Sequence, residues 1–316
     1  MKKYKITITE AMHGKRIDEV LMHHLAHLSN RRVRSIIDVG GVYLNRKRIR
    51  MRNKTVQKAD YIEVEYNPAA MQKMNRQQFV IKKEDILYYA DGIIAINKPP
   101  GLPSQATRDQ ALVHVVPLVE AYLRSQGEVK PKLTLLHRLD KETSGVILLA
   151  KDAKIAAKIF EDFKERRIEK EYHATCYGTP KADKFRVECH LSDIDKKLGV
   201  VRKVKSGGKA SLTDFNVLSH NNILGLSLIR CKPKTGRSHQ IRVHLETEGL
   251  PIVGDKRYGG RDKKPLPDHL SQLTSEYHFL HAESITIELP KHKKPLTIRA
   301  PYPENFKIFA QKAELN

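Results

Sequence analysis

Between Asn67 and Gln78 the chain shows neither helical nor strand periodicity, and this stretch separates two segments of different texture in a sequence of 316 residues. Before it, apolar residues recur at helical spacing. After it, short β-branched and apolar runs alternate with turns. The sequence therefore predicts two packed units, residues 1–66 and 79–316, joined by a linker over 67–78. Forty per cent hydrophobic residues are enough to give each unit a core.

In the first unit, Ile17, Val20, Leu21, His24, Leu25 and Leu28 form one apolar helical stripe. Asn30 is placed to cap a second helix that turns Val33, Ile36 and Ile37 inward, and Gly40-Gly41 stops it. Val42–Leu44 then reads as a strand running into a turn at Asn45, and Ile62 and Val64 mark a closing strand. Arg31, Arg32 and Arg34 fall in the first turn of the second helix, and Lys47, Arg48, Arg50 and Arg52 follow in the next loop. N–H groups at a helix start favour anions, so the arginine cluster suits a backbone phosphate. The alternative is a solvated charged surface.

Charge points the same way. With 58 Lys and Arg against 36 Asp and Glu, the formal net charge is +22, and nucleic acid becomes the default partner. A membrane fits less well. No apolar run approaches the ~20 residues that span a bilayer, and no apolar segment follows the basic start Met1-Lys2-Lys3-Tyr4-Lys5. Cys176, Cys189 and Cys231 are odd in number and far apart, giving neither a disulfide framework nor a zinc pattern. Each reads as a small buried hydrophobe in a reducing cytoplasm. No apolar interface stripe stands out, so a monomer is expected.

The second unit reads as α+β with a mixed or antiparallel sheet. Its strand candidates are 86–89, 92–96, 146–150 and 224–228, and its helix candidates 111–123 and 153–163. Four of its segments bear chemistry. Asn97-Lys98-Pro99-Pro100-Gly101-Leu102 forces a turn after a strand. His137-Arg138-Leu139-Asp140-Lys141-Glu142-Thr143-Ser144-Gly145 sets an acid between a basic polar stretch and the apolar run Val146–Ala150. Nearby cations lower the pKa of a carboxylate, so Asp140 is either ionised and reactive or the cap of a turn through Thr143 and Ser144. Tyr172, in Glu169-Lys170-Glu171-Tyr172, is either a strand aromatic or a ring on which a base stacks. The fourth segment runs from Lys234 to His244, through Arg237, His239 and Arg242, and is followed by Gly249, Pro251 and Gly254-Asp255. His239 and His244 stand five apart, not at the i, i+4 spacing of paired ligands on a helix, so no metal site is expected.

Two resemblances join these observations. Residues 14–65 resemble the small RNA-binding domain of the fourth protein of the ribosomal small subunit. The match rests on Arg16-Ile17-Asp18, Leu28-Ser29-Asn30-Arg31-Arg32, Gly41-Val42-Tyr43-Leu44-Asn45 and Asp60-Tyr61-Ile62. The four segments of the second unit, with Leu280-His281-Ala282, resemble the RluA-type pseudouridine synthases from about Ile86 to Pro303. Two departures are evident: Pro103 to His114 does not align, and Asn30 replaces the more usual Ser or Arg.

The second resemblance implies isomerisation of uridine to pseudouridine within RNA, without a cofactor. It makes Asp140 the catalytic acid, Tyr172 the ring over the target uracil, and Arg242 the basic partner of Asp140; a bidentate pair of the two would keep the acid ionised and aimed. Arg138 would help extrude the target nucleotide, and Leu280 would form an apolar wall under the base. Arg31, Arg32, Arg34 and Arg48 would contact the RNA. The two-unit layout resembles synthases of large-subunit ribosomal RNA, with transfer RNA as the other substrate class. Two further readings compete with this one: a non-catalytic RNA-binding assembly factor, and an RNA hydrolase or N-glycosidase.

Overall fold

The structure is a computed structural model that describes residues 2–28, 30–38, 40–66, 79–106, 113–195, 198–259, 265–274, 277–290 and 292–315. The linker expected over 67–78 lies outside them. Two compact units result: Met1–Val80 with Ala106–His114, and Ile81–Gln105 with Val115–Asn316.

The first unit contains β1 (Lys2–Thr7), α1 (Ile17–His24), α2 (Asn30–Asp38), β2 (Val42–Leu44), β3 (Lys47–Ile49) and β4 (Tyr61–Tyr66). Its strands form an antiparallel sheet in the order β1-β4-β2-β3. Ile17, Val20 and Leu21 of α1 pack with Val33, Ile36 and Ile37 of α2 over Val42, Ile62 and Val64. The helical stripe is shorter than its spacing suggests. Leu25 follows the last turn of α1 and Leu28 lies beyond it, and both still reach this core. Asn30 is the first helical residue of α2 rather than a residue outside it. Strand β1 is lysine-rich, which hides the alternation of Tyr4 and Ile6 that faces them inward.

The second unit begins with β5 (Ile86–Ala90), β6 (Ile93–Lys98), α3 (Val115–Ser125), β7 (Thr134–Leu135), β8 (Ser144–Ala150) and α4 (Ala153–Lys164). It continues through β9 (Glu169–Tyr177), β10 (Lys184–Leu191), β11 (Lys203–Val204), β12 (Lys209–Asn221), β13 (Leu226–Pro233) and α5 (Gln240–Thr247). It closes with α6 (Asp268–Ser271), β14 (Leu280–Ile287), β15 (Leu296–Arg299) and α7 (Glu304–Lys312). Among the described residues, eleven strands share one sheet along the path β11-β10-β12-β13-β9-β14-β8-β6-β5, with β15 on β14 and β7 on β8. Of these pairings only β8 with β14 is parallel, so the unit is α+β with a mixed sheet, as the sequence predicts.

Strand β8 is buried along its whole length, which explains why Val146–Ala150 reads as an unbroken apolar run. Helix α4 covers one region of the sheet with Ala156 and Ile159 against Ile93, Val146, Leu148 and Ile285. The Asp152 carboxylate caps α4 by accepting the N–H groups of Lys154 and Ile155, which stabilises such a helix by about 1 kcal/mol. Helix α5 packs Ile241 and Leu245 against Ala174, Phe215 and Cys231. At the parallel junction Gly145 has φ +109°, and a Cβ there would stand 2.1 Å from the Ala282 carbonyl oxygen. Only glycine fits that crossing.

Candidate active site

Asp140 lies in the segment entering β8, and neighbouring chain holds that segment residue by residue. The Ser104 hydroxyl donates to the Leu139 carbonyl at 2.7 Å and accepts the Leu139 N–H at 3.0 Å. The Thr143 N–H closes a turn on the Asp140 carbonyl. Gly101 N–H and Lys98 Nζ both donate to the Lys141 carbonyl, at 2.8 and 3.1 Å. Lys98 is fully buried and also donates to the carbonyls of Pro99 and Leu102, at 3.1 and 2.9 Å. Burial pulls its amine down to about 7, against the pull of the Asp140 carboxylate. Three carbonyl acceptors use all three N–H bonds of the ammonium form. The Pro-Pro-Gly turn is therefore half of the cradle for Asp140. Ser104 comes from the stretch that does not align, and its role has no signal in the sequence.

Arg242, on the first turn of α5, donates from Nη1 to Asp140 Oδ2 at 2.8 Å. Its two-pronged bond goes elsewhere: Nε and Nη2 grip Asp255 at 2.7 and 2.9 Å. This corrects the bidentate Asp140–Arg242 pair. Asp255 is buried and also accepts the N–H groups of Arg257 and Tyr258, so it is the fixed anchor of the guanidinium. Asp140 receives one bond. Among the described residues its Oδ1 takes none, and about a quarter of the side chain stays exposed (27%). Nor is Asp140 an isolated acid, because Asp255 shares its arginine and Glu142 lies 3.3 Å from His278.

His239 completes the surroundings. Its Nε2 stands 3.9 Å from Asp140 Oδ2, and its Nδ1 lies 2.8 Å from the Tyr258 hydroxyl. That hydroxyl also accepts the Val201 N–H at 2.6 Å, so Tyr258 is itself held in place and orients the imidazole with Nε2 toward Asp140. A left-handed backbone (φ +54°) just before α5 sets this orientation. Burial pushes the Asp140 carboxyl up, but His239 and Arg242 more than offset it and hold the pKa below the ordinary value. Burial also keeps His239 below its ordinary range, and so neutral at pH 7. The cation that keeps Asp140 ionised there is Arg242, whose guanidinium also lies over the Tyr258 ring at 4.8 Å. His244 points elsewhere, with Nε2 2.8 Å from the buried Ser211 hydroxyl.

Tyr172 leaves β9 on the face it shares with Ala174 and Cys231, beneath α5. Burial and the Asp140 charge raise its phenol, which stays neutral at physiological pH. Among the described residues nothing hydrogen-bonds its hydroxyl. Leu280 is buried on β14 opposite Ala174, and Ala282 is the residue directly opposite Tyr172. Arg138 is exposed, whereas its neighbours turn inward: His137 Nε2 accepts the Leu148 N–H, and Leu139 is buried.

In the first unit, Arg34 and Arg48 are exposed and Arg32 is half-buried. Arg48 donates to the Tyr43 hydroxyl at 2.6 Å. The Arg31 side chain lies outside the described residues. Among the described residues, Glu171, His173 and Glu283 bring donor atoms close enough to suggest a metal. Glu171 and His173 leave β9 on the face opposite Tyr172, and the two carboxylates are already engaged by Arg230, Lys232 and Arg299.

The sequence profile of the RNA pseudouridylate synthases matches residues 92–247. The "Ribosomal large subunit pseudouridine synthase C" of Rickettsia bellii (strain RML369-C) is 37% identical over 72% of this chain and 71% of its own length. The protein of the same description from Vibrio cholerae serotype O1 is 31% identical over 94% and 92%. Among solved structures, "Human RNA Pseudouridylate Synthase Domain Containing 4" superposes with a TM-score of 0.61 at 26% identity, covering 73% of this chain and 93% of that one. No helix among the described residues is long and apolar enough to cross a membrane.

Proposed function

The chain belongs to the RNA pseudouridylate synthase family, and from that premise we propose that it isomerises uridines of large-subunit ribosomal RNA, with Asp140 as the catalytic carboxylate. The observation that carries this reading is the asymmetry at Asp140: Oδ2 is tied to Arg242, Oδ1 takes no hydrogen bond from the described residues, and the group is held ionised. A carboxylate so arranged is fixed in aim and has one oxygen for chemistry.

The reaction breaks the N1–C1′ bond, turns the uracil over, joins C5 to C1′ and releases the C5 proton to solvent while N1 takes up one, so the mass is unchanged. Asp140 either attacks C1′ or removes the 2′ proton, and both routes use the same free oxygen. Tyr172 stacks on the uracil and offers its neutral hydroxyl near C5. Leu280 adds apolar wall to the same face, and Arg138 takes the place of the extruded nucleotide in the stack. Extrusion costs about a few kcal/mol. Phosphate contacts offset that cost. Residues 1–66, through Arg31, Arg32, Arg34 and Arg48, are assigned to structured RNA, residues 79–316 to catalysis, and the cytoplasm is the compartment that fits a monomer of this kind.

The test is incubation with unmodified ribosomal and transfer RNA carrying tritium at C5 of uridine. Tritium release from ribosomal RNA, without change of RNA mass or length, is expected. Release from transfer RNA alone would reassign the substrate. Abasic sites or cleaved chains would make the protein a hydrolase, and binding without release an assembly factor.

A further inference from the structure

Lys170 is a cation for which the described residues supply no anion. It stands two residues before Tyr172 on β9, so both side chains leave the strand on one face, about 6.6 Å apart along it. The amine lies 6.0 Å from the centre of the Phe163 ring at the end of α4. It also borders the loop before α5, where a Cβ built on Gly236 would stand 3.8 Å from Nζ. Its charge reaches His137, at the start of the segment that carries Asp140. Lys170 thus sits half-buried where the three segments of the site meet.

The acid beside it in sequence is turned away. Glu171 projects from the reverse face of β9 and is occupied by Arg230, Lys232 and His173. Arg242 differs in this respect, since that buried cation has two carboxylates. Burial lowers the Lys170 amine with no acid to offset it. A half-buried, uncompensated ammonium is costly in the empty protein, and an arriving anion relieves that cost.

We propose that Lys170 binds a backbone phosphate of the RNA strand beside the nucleotide presented to Tyr172 and Asp140. The inference rests on RNA being the substrate. The Phe163 ring holds the cation by its face, and the Lys170–Tyr172 spacing lets one strand face meet a phosphate and a base together.

The test compares wild type, Lys170→Gln and Lys170→Arg in two assays. In tritium release from ribosomal RNA, Lys170→Gln should raise KM by about three- to tenfold while kcat changes less than about twofold, and Lys170→Arg should recover KM. In direct binding to a fluorescent single-stranded RNA across a salt series, Lys170→Gln should flatten the log–log slope by about 0.7, the value for one neutralised phosphate. An unchanged KM and slope, or a fall in kcat at constant KM, would overturn the proposal. If wild type released no tritium at all, the isomerase reading would fail, and the slope would still decide whether Lys170 meets a phosphate.

Discussion

Arg242 divides its guanidinium between two carboxylates, and the division explains more of the site than either pair alone. Asp255 takes the fork and fixes the plane of the group, and Asp140 is met by the nitrogen that remains. Replacing Asp255 by Asn leaves a buried guanidinium with half its compensation and should cost about 3 kcal/mol of unfolding free energy, read by urea titration. The pH dependence has a definite sign. The Asp255 pKa is depressed to about 2, because Arg242 and the Tyr258 N–H outweigh burial. Its stabilisation is therefore full above the ordinary carboxylate value and is lost as pH falls from about 4 through about 2. Wild type should lose stability across that window, and Asp255→Asn should lose less. The Asp140–Arg242 contact is expected from the resemblance that both motifs bear to the pseudouridine synthases, since the local residues leave Asp140 open between a reactive acid and a turn cap. The fork on Asp255 is not, since the motif names both residues without saying which carboxylate sits deeper. His239 shows the same limit, because its ring is held by Tyr258, which Val201 holds in turn, both distant in the chain.

At the level of elements, the site is a loop clamped by a turn. Lys98 ends β6 and ties three carbonyls on two segments, so one side chain joins β6 to the Asp140 loop. Lys98→Met removes a desolvated charge but leaves the Pro99 and Leu102 carbonyls without a donor, and should lower stability by about 2–4 kcal/mol. It should also lower kcat more than about tenfold by loosening Asp140. Denaturation and single-turnover kinetics measure the two effects separately. Buried strands such as β6 and β8 stand out in the sequence as apolar runs. Strands β10 and β12 do not, because their outer faces carry Lys, Arg, Asp and Asn that make the composition look loop-like. Helices α3 and α4 are legible to within a few residues because their stripes are long. The Pro-Pro-Gly turn reads locally as punctuation, and its role emerges only once Lys141, some forty residues later, folds against it.

For the whole molecule, the surplus of basic residues is the property that any RNA complex must feel. Replacing Arg31, Arg32 and Arg34 with Ala should weaken RNA binding and flatten its salt dependence by about 0.7–0.9 for each phosphate no longer neutralised, as measured by binding titrations at several salt concentrations. An unchanged slope would place those arginines in solvent. Both units carry their own cores, and the large one holds every residue of the Asp140 network. If Asp140 performs the chemistry, tritium release from C5-labelled ribosomal RNA will separate wild type from Asp140→Asn when the two are assayed side by side. Wild type should release tritium, and the variant, with RNA binding retained, none above background. Turnover by Asp140→Asn within tenfold of wild type would contradict that role.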